Sequence, residues 1–121
     1  MEFLDKEHEE RYSILLERAD IKGDIERESA MYIISGNRDL FLKSNKMYDF
    51  RNDNFIFNFQ ADENGTVKIL WKASLSRAEE KLMLLAFSLY SGRNYVGVVD
   101  LFSVLDKNNK RLAINAINRA Y

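Results

Sequence analysis

The sequence predicts a mainly α-helical α+β fold, a compact bundle of five to six helices around a buried central helix with one β-hairpin. Residues 76–92 have helical periodicity and are apolar on nearly every side, so other elements must cover them. Residues 54–72 instead alternate like strands on either side of an Asn-Gly turn. The length of 121 residues and the hydrophobic fraction of 46% are typical of one globular domain, which we expect to span residues 1–121.

The central helix is predicted over residues 76–91. Ser76 and Glu79 form a capping box, in which the serine oxygen accepts a first-turn N–H and the glutamate accepts the N–H of the cap. Gly92 is expected to end the helix, because glycine adopts the left-handed conformation of a helix end without steric cost.

Three helices are predicted before the hairpin. Asp5 is a good N-cap for the first and Asp24 for the second, and Gly36 is expected to stop the second helix. Asn37 or Asp39 can start the third, shorter helix. Their predicted ranges are residues 4–18, 24–35 and 37–46.

The β-hairpin is predicted over residues 54–72, with its turn at Asn64-Gly65. A lone hairpin is only marginally stable in water, so its aromatic face is expected to pack against the helices. If both faces are apolar, one of them meets a second copy of the protein. The aromatic residues of this candidate interface are Phe55, Phe57, Phe59 and Trp71.

Two helices are predicted after the central one. A loop covers residues 93–97, and a short helix is expected over residues 100–105. The last helix is predicted from Asn108 or Asn109 to Ala120. The chain has no proline, so no linker interrupts this arrangement.

Composition excludes several kinds of site. The chain has no cysteine, which excludes disulfides, thiolate metal sites and cysteine nucleophiles, and its single histidine, His8, excludes a multi-histidine metal site within one chain. No cofactor is predicted. The longest apolar run has six residues, far fewer than a membrane span needs, and the N-terminus is acidic. We therefore expect a cytoplasmic protein.

Charge is unevenly distributed along the chain. Residues 1–28 hold ten acids and five bases, whereas the remaining residues hold nine acids and thirteen bases. The acidic segment either lies on a basic surface of its own chain or of a partner, or forms an independently solvated face. We favour the solvated face, because surface ion pairs stabilise proteins little.

The last helix carries a polar face that fits nucleic-acid binding. Arginine and asparagine are well shaped to contact guanine and adenine, and a short helix followed by a longer one is typical of a helix-turn-helix. An isoelectric point near 5.9 argues against this function, and a solvated face is the favoured interpretation. The candidate residues are Lys107, Lys110, Arg111, Asn115, Asn118 and Arg119.

Two further groups of polar residues are candidate sites. Asp49 and Asp53 could supply oxygen ligands to a hard cation or serve a carboxylate-dependent enzyme, but a turn closed by their own side chains is the favoured interpretation. His8 lies among acids in a first helical turn, where we expect a solvated histidine rather than a proton-transfer group.

Several stretches resemble an uncharacterised family of small proteins from Firmicutes and their phages and mobile elements. They are residues 76–92, 99–117, 3–12, 28–41 and 48–50, so the resemblance covers most of the chain. It brings no assigned activity. It implies a bacterial or phage accessory protein that acts by binding rather than by turnover.

The sequence leaves three hypotheses for function. The first is a small cytoplasmic protein-interaction module, not an enzyme, that forms a homodimer or binds another protein through its aromatic hairpin. The second is a nucleic-acid-binding protein that uses the last helix, and the third is a carboxylate-dependent enzyme. No membrane partner is expected.

Overall fold

The computed structural model describes residues 2–21 and 23–121, and within them the chain forms seven helices and two small antiparallel sheets. The predicted mainly helical α+β class is confirmed. The helices are α1 (Lys6–Ala19), α2 (Ile25–Gly36), α3 (Arg38–Leu42), α4 (Ser44–Met47), α5 (Arg77–Ser91), α6 (Val98–Phe102) and α7 (Lys107–Ala120). The strands are β1 (Tyr48–Asp49), β2 (Asn54–Phe55), β3 (Phe57–Ala61) and β4 (Val67–Trp71).

The centre of the bundle is α2, which packs against α1, α3, α5 and α7. All residues from Ser29 to Ser35 are buried. The hydroxyl of Ser29 donates to the carbonyl oxygen of Ile25, and that of Ser35 to the carbonyl oxygen of Tyr32, so both polar side chains are satisfied inside the core. The predicted central helix, α5, is the principal neighbour of α2 and also largely buried. The bundle is therefore built around the α2–α5 pair.

The predicted capping box of α5 is confirmed. The N–H of Glu79 donates to Ser76 Oγ at 3.1 Å, and the N–H of Ser76 donates to Glu79 Oε1 at 2.8 Å. Gly92 ends the helix with a φ of 74°. Burial opposes ionisation of Glu79, but hydrogen bonds from Lys43 and Ser76 outweigh it and lower the pKa of this carboxyl. The bond from Lys43 to Glu79 thus ties α5 to the junction between α3 and α4.

Helix boundaries differ from the prediction in three places. The third predicted helix is divided at Lys43 into α3 and α4. The short helix α6 begins at Val98 and ends at Phe102, earlier than predicted. Asp106 caps α7 by accepting the N–H of Asn109 at 2.8 Å, and this cap moves the start of α7 to Lys107.

The strand predicted from residue 54 changes partner at Ile56. Before it, β2 pairs with β1, which the sequence did not reveal, and after it β3 pairs with β4 in the predicted hairpin. The N–H of Ile56 donates to the carbonyl oxygen of Met47 at 3.0 Å. In the turn, Gly65 has a φ of 79°, and Asp62 Oδ1 accepts the N–H groups of Asn64 and Thr66.

Gly36 ends α2 as predicted, but its lack of a side chain serves packing. A Cβ atom at this position would lie 2.2 Å from Cδ1 of Leu112, a fully buried residue of α7. The contact between α2 and α7 therefore requires glycine here.

Replacing Gly36 with alanine is expected to destabilise the protein by about 1–3 kcal/mol, because the added methyl overpacks the core. Urea unfolding would measure the change. The matched control is Gly97→Ala, where a Cβ would meet only Asp100 Oδ2 at 3.9 Å, so a change below about 0.5 kcal/mol is expected. Equal effects of the two substitutions would contradict this account of Gly36.

The prediction of a solvated His8 is wrong, since its side chain is fully buried. Its Nδ1 atom accepts the N–H of Leu4 at 3.1 Å, and its Nε2 atom lies 2.9 Å from the carbonyl oxygen of Tyr32. A backbone N–H can only donate, so Nδ1 is unprotonated and Nε2–H donates to Tyr32. Burial favours this neutral form and lowers the pKa of His8.

Stability is expected to fall as the pH drops below about 6.5, the pKa of an unfolded histidine. Unfolded His8 binds a proton in this range whereas folded His8 does not, so the loss can reach about 1.4 kcal/mol per pH unit until the lowered folded pKa is passed. Urea unfolding of the wild type and of His8→Gln at pH 7.5 and 5.5 tests this, because the chain has no other histidine. The same pH dependence in both proteins would contradict it.

Candidate functional site: the hairpin arm and the polar face of α7

The hairpin arm, defined here as residues 57–71, has one apolar face. Residues paired across β3 and β4 lie on the same side of the sheet. Three pairs therefore form the apolar face: Phe57 with Trp71, Phe59 with Ile69, and Ala61 with Val67. The opposite face carries the pairs Asn58 with Leu70 and Gln60 with Lys68.

The helices cover the two strands of the arm unequally. Ile69 on β4 is only 7% exposed, whereas Phe59, directly across from it on β3, is 56% exposed. The two side chains share one face, so the helices cover Ile69 and leave Phe59 open, and Val67 at the outer end of β4 is also 58% exposed. Phe59 is consequently an aromatic residue without a covering layer.

The base of the arm is anchored by an aromatic cluster. The ring of Phe57 lies 4.8 Å from that of Phe87 on α5 and 5.6 Å from that of Trp71, measured between centroids. The same Phe57 ring lies 4.9 Å from Phe59, which links the cluster to the open side. The structure places Phe55 in the core, 7% exposed and outside the arm.

Both edges of the arm are free of further strands in the part of the chain that the structure describes. The N–H of Asp62 donates to the carbonyl oxygen of Thr66, and in an antiparallel pair every second residue bonds to the partner strand. Asn58 and Gln60 therefore bond to β4, while the backbone groups of Phe57, Phe59 and Ala61 point outward. The exposed side of β3 thus combines an aromatic side chain with unused backbone donors and acceptors.

A groove of about 460 Å³ lies between the outer half of the arm and α5. Ala61, Val67 and Ile69 line its arm side, and Lys81 and Leu84 line its helix side. The arm therefore projects beyond the core instead of lying flat on it.

In the structure, the residues predicted to form the polar face of α7 are partly buried and partly exposed. Arg119 lies mainly in the interior: Nη2 donates to Glu28 Oε1 at 2.7 Å and to the hydroxyl of Tyr12 at 3.1 Å, and Nη1 donates to Ser29 Oγ at 3.1 Å. Asn115 is partly buried. The exposed members of the set are Lys107, Lys110, Arg111 and Asn118.

The ion pair of Arg119 with Glu28 is the one link that the structure shows between the acidic N-terminal segment and a basic residue beyond it. Its side chains are 15% and 14% exposed. Asp24 pairs locally with Arg27 at 2.7 Å. Within the described residues, the acids of α1 form no ion pair, and Lys22 lies outside those residues. Sequence reasoning missed this pair because Glu28 and Arg119 are far apart in the chain.

Asp49 and Asp53 have different surroundings in the structure. Asp49 accepts the N–H groups of Arg51 and Asn52 and the side-chain amide of Asn52, so it closes the turn as favoured from the sequence. These bonds, led by that amide, lower the pKa of Asp49. Asp53 has a φ of 51° and lines a different, open cavity with Asp24.

No grouping of three or more histidine or carboxylate side chains within residues 2–21 and 23–121 is suited to holding a metal ion. In the same residues, no helix combines the length and the hydropathy needed to cross a lipid bilayer.

Fold and site together define a small mainly helical α+β protein with an aromatic hairpin arm. The chain belongs to a family described as a family of unknown function, DUF6075, whose model matches residues 1–121. The predicted membership of a family without an assigned activity is thereby confirmed. No curated protein and no solved structure matches the chain.

Proposed function

We propose that this protein is a small cytoplasmic interaction module, of bacterial or phage origin, that acts by binding and self-associates through the β3 edge of its hairpin arm. The observation that carries the proposal is the unequal cover of the cross-strand pair, with Ile69 buried and Phe59 exposed. An exposed edge strand is a template for pairing with another chain.

The chemistry of β3 favours a second copy as the partner. Proteins that stay monomeric commonly protect an edge strand with charged residues or proline. The β3 sequence, Phe-Asn-Phe-Gln-Ala, has neither, whereas β4 carries Lys68. An uncharged strand is self-complementary, because no like charges oppose one another across a two-fold axis.

Antiparallel pairing about Phe59 also joins the apolar faces of two arms. Phe59 of one copy lies opposite Phe59 of the other, and Phe57 lies opposite Ala61. All three residues have outward backbone groups, so this register gives each of them hydrogen-bond partners. The two Phe59 rings cover each other at the axis, and the interface is isologous, as in most homodimers.

The wild-type protein is expected to run as a dimer in size exclusion with light scattering, and the dimer should persist between 50 mM and 500 mM salt. Salt resistance follows because the paired strands carry no charge. Phe59→Lys should weaken association at least tenfold by placing like charges on the axis. Ala61→Pro should do the same, since it removes an outward N–H that the monomer does not use.

The matched control is Leu70→Lys, which adds the same charge to the opposite face of the arm, where Leu70 is 40% exposed. It should leave the dimer intact. A wild type that is monomeric at high concentration, or a Leu70→Lys variant that dissociates as readily as Phe59→Lys, would overturn the proposal. A dimer that dissociates with salt would also overturn it and would implicate the acidic N-terminal segment instead.

Nucleic-acid binding through α7 is the second candidate function. It is supported by the exposure of Lys107, Lys110 and Arg111 at the start of the helix. It is weakened by Arg119, whose guanidinium is already engaged by Glu28 and Tyr12.

If α7 binds nucleic acid, duplex DNA should raise the fluorescence anisotropy signal in a salt-dependent manner. Arg111→Ala combined with Asn115→Ala should then weaken binding without lowering the melting temperature strongly, and Arg93→Ala, which removes an exposed base elsewhere, should not. Absence of a signal at 50 mM salt would eliminate this function.

A further inference from the structure

The N-terminal strap, defined here as residues 2–4, contacts α1 and α2 without forming a helix or strand. At one end, the N–H of Leu4 donates to Nδ1 of His8 on α1 at 3.1 Å. At the other end, the hydroxyl of Tyr32 on α2 donates to the carbonyl oxygen of Glu2. The ring centroid of Phe3 lies 5.1 Å from that of His8 and 5.9 Å from that of Tyr32. One buried pair, His8 and Tyr32, therefore holds the whole strap.

The strap is less buried than the helices beneath it. Its residues are exposed or half-buried, whereas His8 and Tyr32 below them are fully buried. Segments with few buried contacts open locally at a lower free energy than the whole protein unfolds. The strap also supplies one wall of a cavity of about 260 Å³, whose other walls come from α2 and α7. Its departure would open this cavity and uncover Tyr32 with the helices still packed.

The protonation state of His8 decides whether the strap can bond to it. Nδ1 accepts the N–H of Leu4 only while it carries no proton, because a protonated imidazole is a donor at both nitrogens. Protonation would place two donors against each other, 3.1 Å apart. Nε2–H keeps its bond to the Tyr32 carbonyl oxygen in both states. With the strap away, the new Nδ1–H can donate to water, so proton binding favours the open strap.

The groups around His8 make burial the main obstacle to its protonation. Burial is the largest influence on the pKa of His8 and lowers it. The Tyr32 carbonyl and Asp5 raise this pKa, and Arg11 lowers it. Opening the strap reduces the burial and leaves those three groups in place, so the pKa rises in the open state. The charged and titratable groups of the neighbouring elements are Glu2 of the strap, Asp5, Arg11 and Tyr12 of α1, Tyr32 of α2, and Arg111 and Arg119 of α7, which act on Tyr32.

We propose that the strap is a pH-sensitive device: protonation of His8 releases residues 2–4 from α1 and α2 while the helices remain folded. The ratio of open to closed strap should then rise by up to about tenfold for each pH unit below about 6.5, the pKa of a histidine in water. The rise ends where the lowered pKa of the closed state is passed. None of these residues belongs to the hairpin arm, so the device would remain if self-association failed.

Amide hydrogen exchange of the full-length protein, measured by NMR at pH 7.0 and 5.0, tests the proposal. The protection factor of the Leu4 N–H, which is corrected for the intrinsic exchange rate, should fall at least about tenfold at the lower pH. It should be smaller than that of Ile33 in α2. Urea at about 1 M should lower the protection of Ile33, which exchanges on global unfolding, and leave that of Leu4 unchanged. His8→Gln has no titrating ring, so its Leu4 protection should be the same at both pH values.

Tyr32→Phe is a second variant that keeps the ring packing of the core. It removes only the hydroxyl that bonds to Glu2, so it should lower the protection of Leu4 and raise the pKa of His8. The ¹³Cε1 resonance of the histidine ring measures that pKa. The matched control is Tyr48→Phe, which removes the hydroxyl of another fully buried tyrosine, bonded to Arg27 instead of the strap, and should change neither quantity.

Three results would overturn the proposal. Equal protection of Leu4 and Ile33 would show that the strap opens only when the protein unfolds. The same pH response in the wild type and His8→Gln, or a His8 pKa that Tyr32→Phe leaves unchanged, would show that the ring does not control the strap.

Discussion

The structure depends on the burial of residues 29–35 of α2. This helix contacts α1, α5 and α7 at once, so each of its sides must match a different neighbour. Gly36 leaves room for Leu112 of α7. The Tyr32 carbonyl oxygen accepts a hydrogen bond from the buried His8 of α1, and Glu28 accepts one from Arg119. With the middle of α2 covered by these neighbours, the helices form the core of the protein, and the hairpin arm projects from it.

The sequence predicted the features that depend on neighbouring residues. The capping box of Ser76 and Glu79, the cap at Asp5 and the left-handed end at Gly92 are set by local hydrogen bonding, and the structure has all three. The hairpin was predictable because the alternation of side chains along its strands and the Asn64-Gly65 turn are local sequence patterns. The division of the long strand at Ile56 was not, since no sequence pattern marks β1 as the partner of β2.

Features that depend on contacts distant in sequence could not be predicted. His8 sits among acids, but only the fold brings the Tyr32 carbonyl to its ring. Arg119 belongs to a polar helical face in the sequence, yet its partners come from α1 and α2. In both cases, the polar residue was expected to be solvent-exposed because the residues next to it in the sequence are polar. For the candidate interface, the sequence identified the aromatic residues but did not distinguish the buried Phe55 from the exposed Phe59.

The central claim is that a second copy completes the hairpin arm at the β3 edge. Amide hydrogen exchange measured by NMR at several protein concentrations tests it most directly. Exchange at Phe59 and Ala61, whose amides point outward from β3, should slow as the concentration rises, while exchange at Val67 and Ile69 on the β4 edge stays constant. Rates at Phe59 and Ala61 that do not depend on concentration, or slowing confined to β4, would contradict the account.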